Sequence, residues 1–406
     1  MKSADTGVIN PSKSIERIQD VDILRGFALF GVILVNVFYF NVPAQYFSEF
    51  YNQFTDPLNK SLFHILSWFF TGKFYPIFSF LFGLGFSIQF LNARQKNVNP
   101  YTFLARRLTI LLLFGLAHII FVWEEDILFI YAVFGFVLLA LVERSPKFIL
   151  VTALTLYFAP HVFTAVSNFF QFNIHPSVTL DSISTYVNFY TTAPYWQILQ
   201  ERIAIYLQKF SQLEVLISQL NRLAFFLMGL YVGKKNYIAT YRKESQYWFK
   251  VLLVSFCVFS TGFLADKIWL KDLENLRSPT LLLSIEEIVI GITSLFQVFI
   301  YMIGFLLLLT INRLRPFFTP LSHIGRTALT VYLMHSTVFS FIFYSFGLKL
   351  YGSLAPVQLF TIAIGLFFVD VILSILWLKY FQYGPLEWIW RSLTYNKVLP
   401  LRKQGI

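Results

Sequence analysis

The chain has 406 residues, of which 57% are hydrophobic and only 13% charged, with a mean hydropathy of +0.63; a soluble domain is about half apolar and about a quarter charged, so this one lacks the polar surface to coat a water-soluble particle. Its net charge of +11 does not call for a nucleic acid, because excess Lys and Arg in a membrane protein report the positive-inside rule. The single Cys257 excludes an intrachain disulfide and a cysteine-built metal cluster, and the six His are too scattered for metal spacing, so no metal site is expected.

Residues 1–21 have neither an apolar core nor a small-residue cleavage pattern, so a cytoplasmic N-terminal segment without a cleavable signal is expected. Ten apolar stretches follow, at 24–41, 74–92, 107–123, 127–142, 147–169, 215–233, 248–265, 281–311, 327–346 and 355–378. Crossing the hydrocarbon core takes roughly 20 such residues, so the expected fold is all-α, a polytopic transmembrane bundle of about ten spans over residues 22–378. Most of the 32 Lys and Arg fall in the N-terminal segment, in 93–107, 143–147, 234–250 and 312–326, and after residue 378. That asymmetry puts both termini in the cytoplasm.

Two long outside segments interrupt the spans. Residues 42–73 include the amphipathic run LFHILSWFF, expected at the interface, and residues 170–214 are long enough to cap a pocket. The tail 379–406, with YGPLEWIWRSLTYNK, is aromatic and basic, as befits a segment on the inner leaflet.

Polar residues at membrane depth are costly and are paired, face a cavity, or are functional. Asn36, His118, His161, Asn221, Arg222, Glu286 and Glu287 fall in the outer half of their spans, Lys73 at an outer mouth, His335 near the middle and Asp370 deeper. Single residues of this kind also serve as packing hydrogen bonds, but together they lead to the expectation of a wet cavity open to the exterior. A second group, Asp22, Arg25, Arg106, Arg107, Arg326 and Arg391, lies at the cytoplasmic face. Guanidinium forks suit phosphate, so these arginines are candidates for holding a nucleotide-containing donor or, alternatively, lipid headgroups. Asp22 and Arg25, three apart, share one face of the first span, and Asn36 lies about three turns further along that face.

The blocks RIQDVDILRGFALFGVILVNV, GKFYPIFSFLFGLGFSIQF, ARRLTILLLFGLAHIIFVWEEDILFIYAVFG, IGRTALTVYLMHS and YGPLEWIWRSLTY make the chain resemble, along nearly its whole length, the YeiB-type family of bacterial membrane proteins of undefined function. The resemblance implies a multi-pass protein of a bacterial plasma membrane, distantly related to the transmembrane acyltransferases. Characterised branches of that superfamily pass acyl groups from cytoplasmic acyl-coenzyme A to sugars across the membrane. In the surface-polysaccharide O-acyltransferases a D-x-L-R-G block, similar to Asp22 to Gly26 here, precedes a catalytic His in the same span. Asn36 occupies that position in this chain, as an Asn does in the heparan-glucosaminide N-acetyltransferase branch. By that likeness Asn36 would orient the acyl carbonyl, with Arg25, Arg106, Arg107 and Arg326 on donor phosphates. No His stands between Asn36 and His64, so the base is sought at His118, followed by Asp126, with His335 second. The expected function is acyl transfer from acyl-coenzyme A to a sugar or other small acceptor, with membrane lipids as surroundings. The alternative is a transporter of a small polar or anionic solute, with Glu286, Glu287, Asp370 and His335 carrying protons.

Overall fold

The computed structural model describes residues 19–171, 180–265 and 279–403. Among them the architecture is an all-helical bundle, with one isolated bridge, Phe381 with Arg402, as the extended pairing. Ten apolar helices match the expected spans: α1 Gln19–Asn41, α2 Phe74–Gln95, α3 Pro100–Phe121, α4 Leu128–Leu141, α5 Pro146–Phe169, α6 Leu213–Lys235, α7 Ser245–Leu264, α8 Pro279–Leu308, α9 Ala328–Phe343 and α10 Pro356–Tyr380. Eight of these elements are long and apolar enough to cross a membrane, while α4 and α9 are shorter.

Both short spans have a local cause. The α4 helix begins inside the bundle because the loop before it, residues 122–127, dips inward and buries Trp123 and Asp126. The α9 helix is preceded by a separate turn of helix, Leu321–Arg326, which supplies its missing length at the inner end. Starts at the cytoplasmic face are written in the sequence. Asn99 before Pro100 and Ser145 before Pro146 accept backbone N–H groups of the first turn; a capping side chain followed by Pro at the first helical position satisfies and pre-orients that turn.

The central helix is α1, buried on nearly every side. Its inner end touches the Leu321–Arg326 helix so closely that a Cβ at Gly26 would strike the Leu321 carbonyl and one at Gly325 would strike that of Asp22. Backbone contact of this kind is how membrane helices gain van der Waals packing without a hydrophobic drive between them. Here it also fixes Asp22 and Arg25 beside Arg326. The α2 and α6 helices meet the same way, with Gly83 against Phe226 and Gly229 against Phe80.

The outer face is closed by the helices Leu180–Thr192 and Tyr195–Lys209. Tyr195 Oη donates to the Phe121 carbonyl at 2.8 Å, and Arg202, fully buried, donates to the same carbonyl at 3.3 Å. The Arg202 guanidinium lies 3.7 Å from Glu124 and stacks 4.8 Å over the Tyr344 ring. Burial pushes the Glu124 carboxyl up from its ordinary range, and Arg202 pulls it back down. The described part of residues 170–214 presses on the loop between α3 and α4, and none of its residues lines the bundle's large cavity.

Candidate functional site

A cavity of about 680 Å³ enters the bundle from the end where α1 begins and α10 finishes. Its mouth is formed by the inner ends of α1, α2 and α3, by Gly325 and Arg326, and by the tail after α10. Five cationic side chains stand there: Arg25, Arg107, Arg326, Arg391 and Lys403. Two carboxylates accompany them, Asp22 and Glu387, and both are already engaged. Arg25 Nη1 donates to Asp22 Oδ1 at 2.7 Å and to the Gly325 carbonyl at 3.3 Å.

The tail helix Pro385–Tyr395 is bound to the bundle by two anchors. Glu387 Oε1 accepts from the backbone N–H groups of Leu329 and Thr330, at 2.7 and 3.1 Å, and Oε2 accepts from Thr330 Oγ1 at 2.6 Å. A carboxylate at the first turn of α9 satisfies orphan donors and meets the positive end of the helix dipole. Burial raises the Glu387 carboxyl above its usual range, while these hydrogen bonds lower it. Trp390 is the second anchor: its Nε1 donates to the Arg107 carbonyl at 2.9 Å, and the Arg107 guanidinium lies 3.5 Å over its ring. Such stacking holds a guanidinium in place while leaving its in-plane donors available.

Deeper in, the walls become apolar, with Phe78, Phe82, Leu108 and Leu111, and the ceiling carries two phenols, Tyr131 and Tyr332. Tyr131 Oη lies 2.8 Å from Ser79 Oγ and donates to the Tyr75 carbonyl at 3.3 Å. The Ile127 N–H donates to Tyr332 Oη at 3.4 Å. Directly behind Tyr332, at 5.3 Å between ring centres, lies His118. His118 Nδ1 is 2.8 Å from Asp126 Oδ1, and the other Asp126 oxygen accepts from the Phe129 N–H at 2.6 Å. Asp126 therefore caps the start of α4 and aligns the imidazole in one stroke. A carboxylate on Nδ1 requires the proton there, which leaves Nε2 as the basic nitrogen. Among the described residues Nε2 has no hydrogen-bond partner.

The outer half is organised differently from the expected exterior cavity. Three of its polar groups are taken up one by one, while the Asn221 Oδ1 has no hydrogen-bond partner among the described residues. His161 Nδ1 is 2.8 Å from Glu287 Oε1, Lys73 Nζ donates to Ser294 Oγ at 3.0 Å, and Asn36 Oδ1 accepts from Tyr75 Oη. Each group thereby meets its own partner at membrane depth, where an unpaired one is costly. The 680 Å³ hollow opens the other way, at the end where α1 begins. Arg222 comes within 5.9 Å of the Tyr75 ring, so Asn36 and Tyr75 have a cation beside them above the cavity ceiling.

Arg25, Arg107 and Arg326 line the mouth; Arg106 does not, and instead donates to the Thr394 carbonyl at 3.5 Å. His118 and Asp126 lie together behind the ceiling, whereas Asn36 is one layer away, connected through Tyr75 to Tyr131. His335 stands apart, with Nε2 against the Asp370 carboxylate between α9 and α10 and outside the cavity wall.

The comparisons with known proteins agree along the full length. The chain is 31% identical over 413 residues to the uncharacterized protein YxaH of Bacillus subtilis, covering 98% of each. The chain belongs to the YeiB-type family. It is 25% identical to YeiB itself from Escherichia coli over 402 residues, covering 95% of this chain and 98% of that one, and 28% identical to an uncharacterized 39.9 kDa protein from Bacillus acidopullulyticus over 399 residues. Residues 232–397 match the family described as protein of unknown function DUF418. This member of the YeiB-type family is thus a multi-pass membrane protein.

Sequence reasoning missed Tyr131, Tyr332, Glu387, Trp390 and Lys403. The phenols were passed over because tyrosine is an ordinary residue in a membrane bundle. Glu387 had a signal: it is the one acidic residue in the basic tail after residue 378, and such an exception needs a partner.

Proposed function

We propose that the protein is an acyltransferase of the cytoplasmic membrane, taking its donor from the cytoplasm as a thioester that carries phosphate, of the acyl-coenzyme A class. One observation carries this reading: a cavity whose mouth holds five cations and whose apolar end stops one ring short of a His118–Asp126 pair with an unused Nε2. Charge-assisted, forked donors at the mouth suit phosphates, and the hydrocarbon walls suit the acyl end.

In the transfer, an acceptor hydroxyl oxygen attacks the thioester carbonyl carbon as Nε2 of His118 takes the hydroxyl proton. The C–O bond forms, the C–S bond breaks, and the imidazolium returns its proton to the departing thiolate. Asp126 stabilises the imidazolium through Nδ1–H. Tyr332, whose oxygen accepts from Ile127, has its phenolic proton to offer the carbonyl oxygen as charge builds there. The acceptor, a sugar or other small hydroxyl compound, would come from the outer side through the patch of Asn36, Tyr75 and Arg222, so His118 and Tyr332 would have to part for the two substrates to meet.

The test uses purified protein in a Cys257→Ala background, because the single thiol is exposed and would react with thiol reagents. Release of free coenzyme A from acyl-coenzyme A, and its loss in His118→Ala, would support the reading. Uptake of a solute into proteoliposomes with no acyl donor, unaffected by His118→Ala, would replace it with the transport reading.

A further inference from the structure

Gly85 of α2 faces the cavity, and the space beside it is open: a Cβ built there meets a single neighbour, Gln89 Nε2 at 4.0 Å. Two residues earlier on the same helix, Gly83 has the Phe226 backbone against it. Glycine weakens a helix interior relative to alanine. At Gly83 close helix packing offsets that cost, whereas at Gly85 no protein atom uses the room it leaves.

Gly85 also stands where polar lining ends. Toward the mouth α2 presents Gln89 and Asn92 among Phe86, Ile88 and Ala93; toward the ceiling it presents only Phe82, Leu81 and Phe78. From Gly85 to Phe78 is seven residues, which at a rise of about 1.5 Å each is roughly 10 Å of depth. Across this stretch α3 and α4 add Leu108, Leu111 and Leu128. A two-carbon acyl group would leave most of this apolar depth unfilled, while an aliphatic chain of several carbons would exchange water for hydrocarbon along it.

We infer that the cavity selects a medium-length acyl chain over acetyl, and that Gly85 is the specificity-determining residue at its throat. This deepens the donor reading above and rests on it. The side chain missing at Gly85 is what lets the chain pass from the cationic mouth to the ceiling in front of His118.

The experiment measures binding to the purified full-length protein by ligand-dependent thermal shift and equilibrium titration, with coenzyme A, acetyl-coenzyme A and octanoyl-coenzyme A as probes. Wild type should bind the octanoyl compound at least about tenfold more tightly than the acetyl compound, a modest share of what burying six further methylenes allows. Gly85→Leu should abolish that preference while keeping affinity for coenzyme A, and Gly85→Ala should reduce it in part. A monodisperse profile and an unchanged ligand-free melting temperature show that Gly85→Leu is folded; should it be unfolded, Gly85→Ala carries the test. Equal affinity for the octanoyl and acetyl compounds in wild type, or an undiminished preference in Gly85→Leu or Gly85→Ala, would overturn the inference and leave the donor reading intact. Binding of none of the three would remove the donor reading and this inference together.

Discussion

His118 and His335 each sit against a carboxylate deep in the bundle; His118 bonds Asp126 through Nδ1 and keeps Nε2 without a hydrogen bond, whereas neither ring nitrogen of His335 has one among the described residues. What decides their use is what lies beside them. His118 and Asp126 join the end of α3 to the loop before α4, one ring behind the wall of a large cavity. His335 and Asp370 bridge α9 to α10, with neither on the cavity wall. A buried His–carboxylate pair is a chemical site where space for a substrate adjoins it, and otherwise a tie between helices, the carboxylate and imidazole each cancelling the other's cost in the membrane.

The comparison breaks most directly through activity. His118→Ala should lower acyl-coenzyme A turnover by roughly two to four orders of magnitude, the usual worth of a positioned base. The apolar double variant His335→Leu/Asp370→Leu should keep turnover near wild type. Equal losses in both would erase the distinction drawn here. Stability sharpens it from the other side. Asp370→Ala alone leaves a buried His without its partner and should cost about 3–5 kcal/mol in thermal or denaturant unfolding, with the double apolar variant recovering most of that. If the single and double variants unfold alike, the pair is no tie.

Smaller effects belong to the mouth. Removing the guanidinium in Arg107→Ala should weaken coenzyme A binding roughly ten- to hundredfold, the range of one or two charged hydrogen bonds, read by titration. Arg106→Ala, at a position off the cavity wall, should change it little. The smallest change is expected at the tail anchor. Glu387→Ala strips the first turn of α9 of its acceptor and should cost about 1–2 kcal/mol of stability, with Glu387→Gln retaining part. An unchanged melting curve for Glu387→Ala would mean the tail does not hold α9.

Much of the site's inner half was legible in the residues. Arg25, Arg107 and Arg326 were picked out by charge at span ends, and the structure places them on one mouth. His118 was chosen for the outer zone it shares with Asn36 and for the Asp126 that follows it; it does pair with Asp126, but stands beside the inner cavity, one layer from Asn36. The outer polar groups were legible one at a time but not in their relations, because Asn36 with Tyr75 and His161 with Glu287 are contacts between helices distant in the chain. Nothing in the order of residues says which of two facing side chains ends the search for a partner. The same blindness hid Glu387, whose partners at Leu329 and Thr330 lie 58 and 57 residues before it.

From the sequence alone came the all-helical bundle and the places of its apolar helices, since each depends on local quantities: the length of an apolar stretch and its caps. Only the tertiary structure decided on which side the hollow opens, and which histidine stands beside it. Empty space between helices depends on how every helix packs at once, and glycine contacts such as Gly26 with Leu321 and Gly83 with Phe226 set that packing through the distance between backbones.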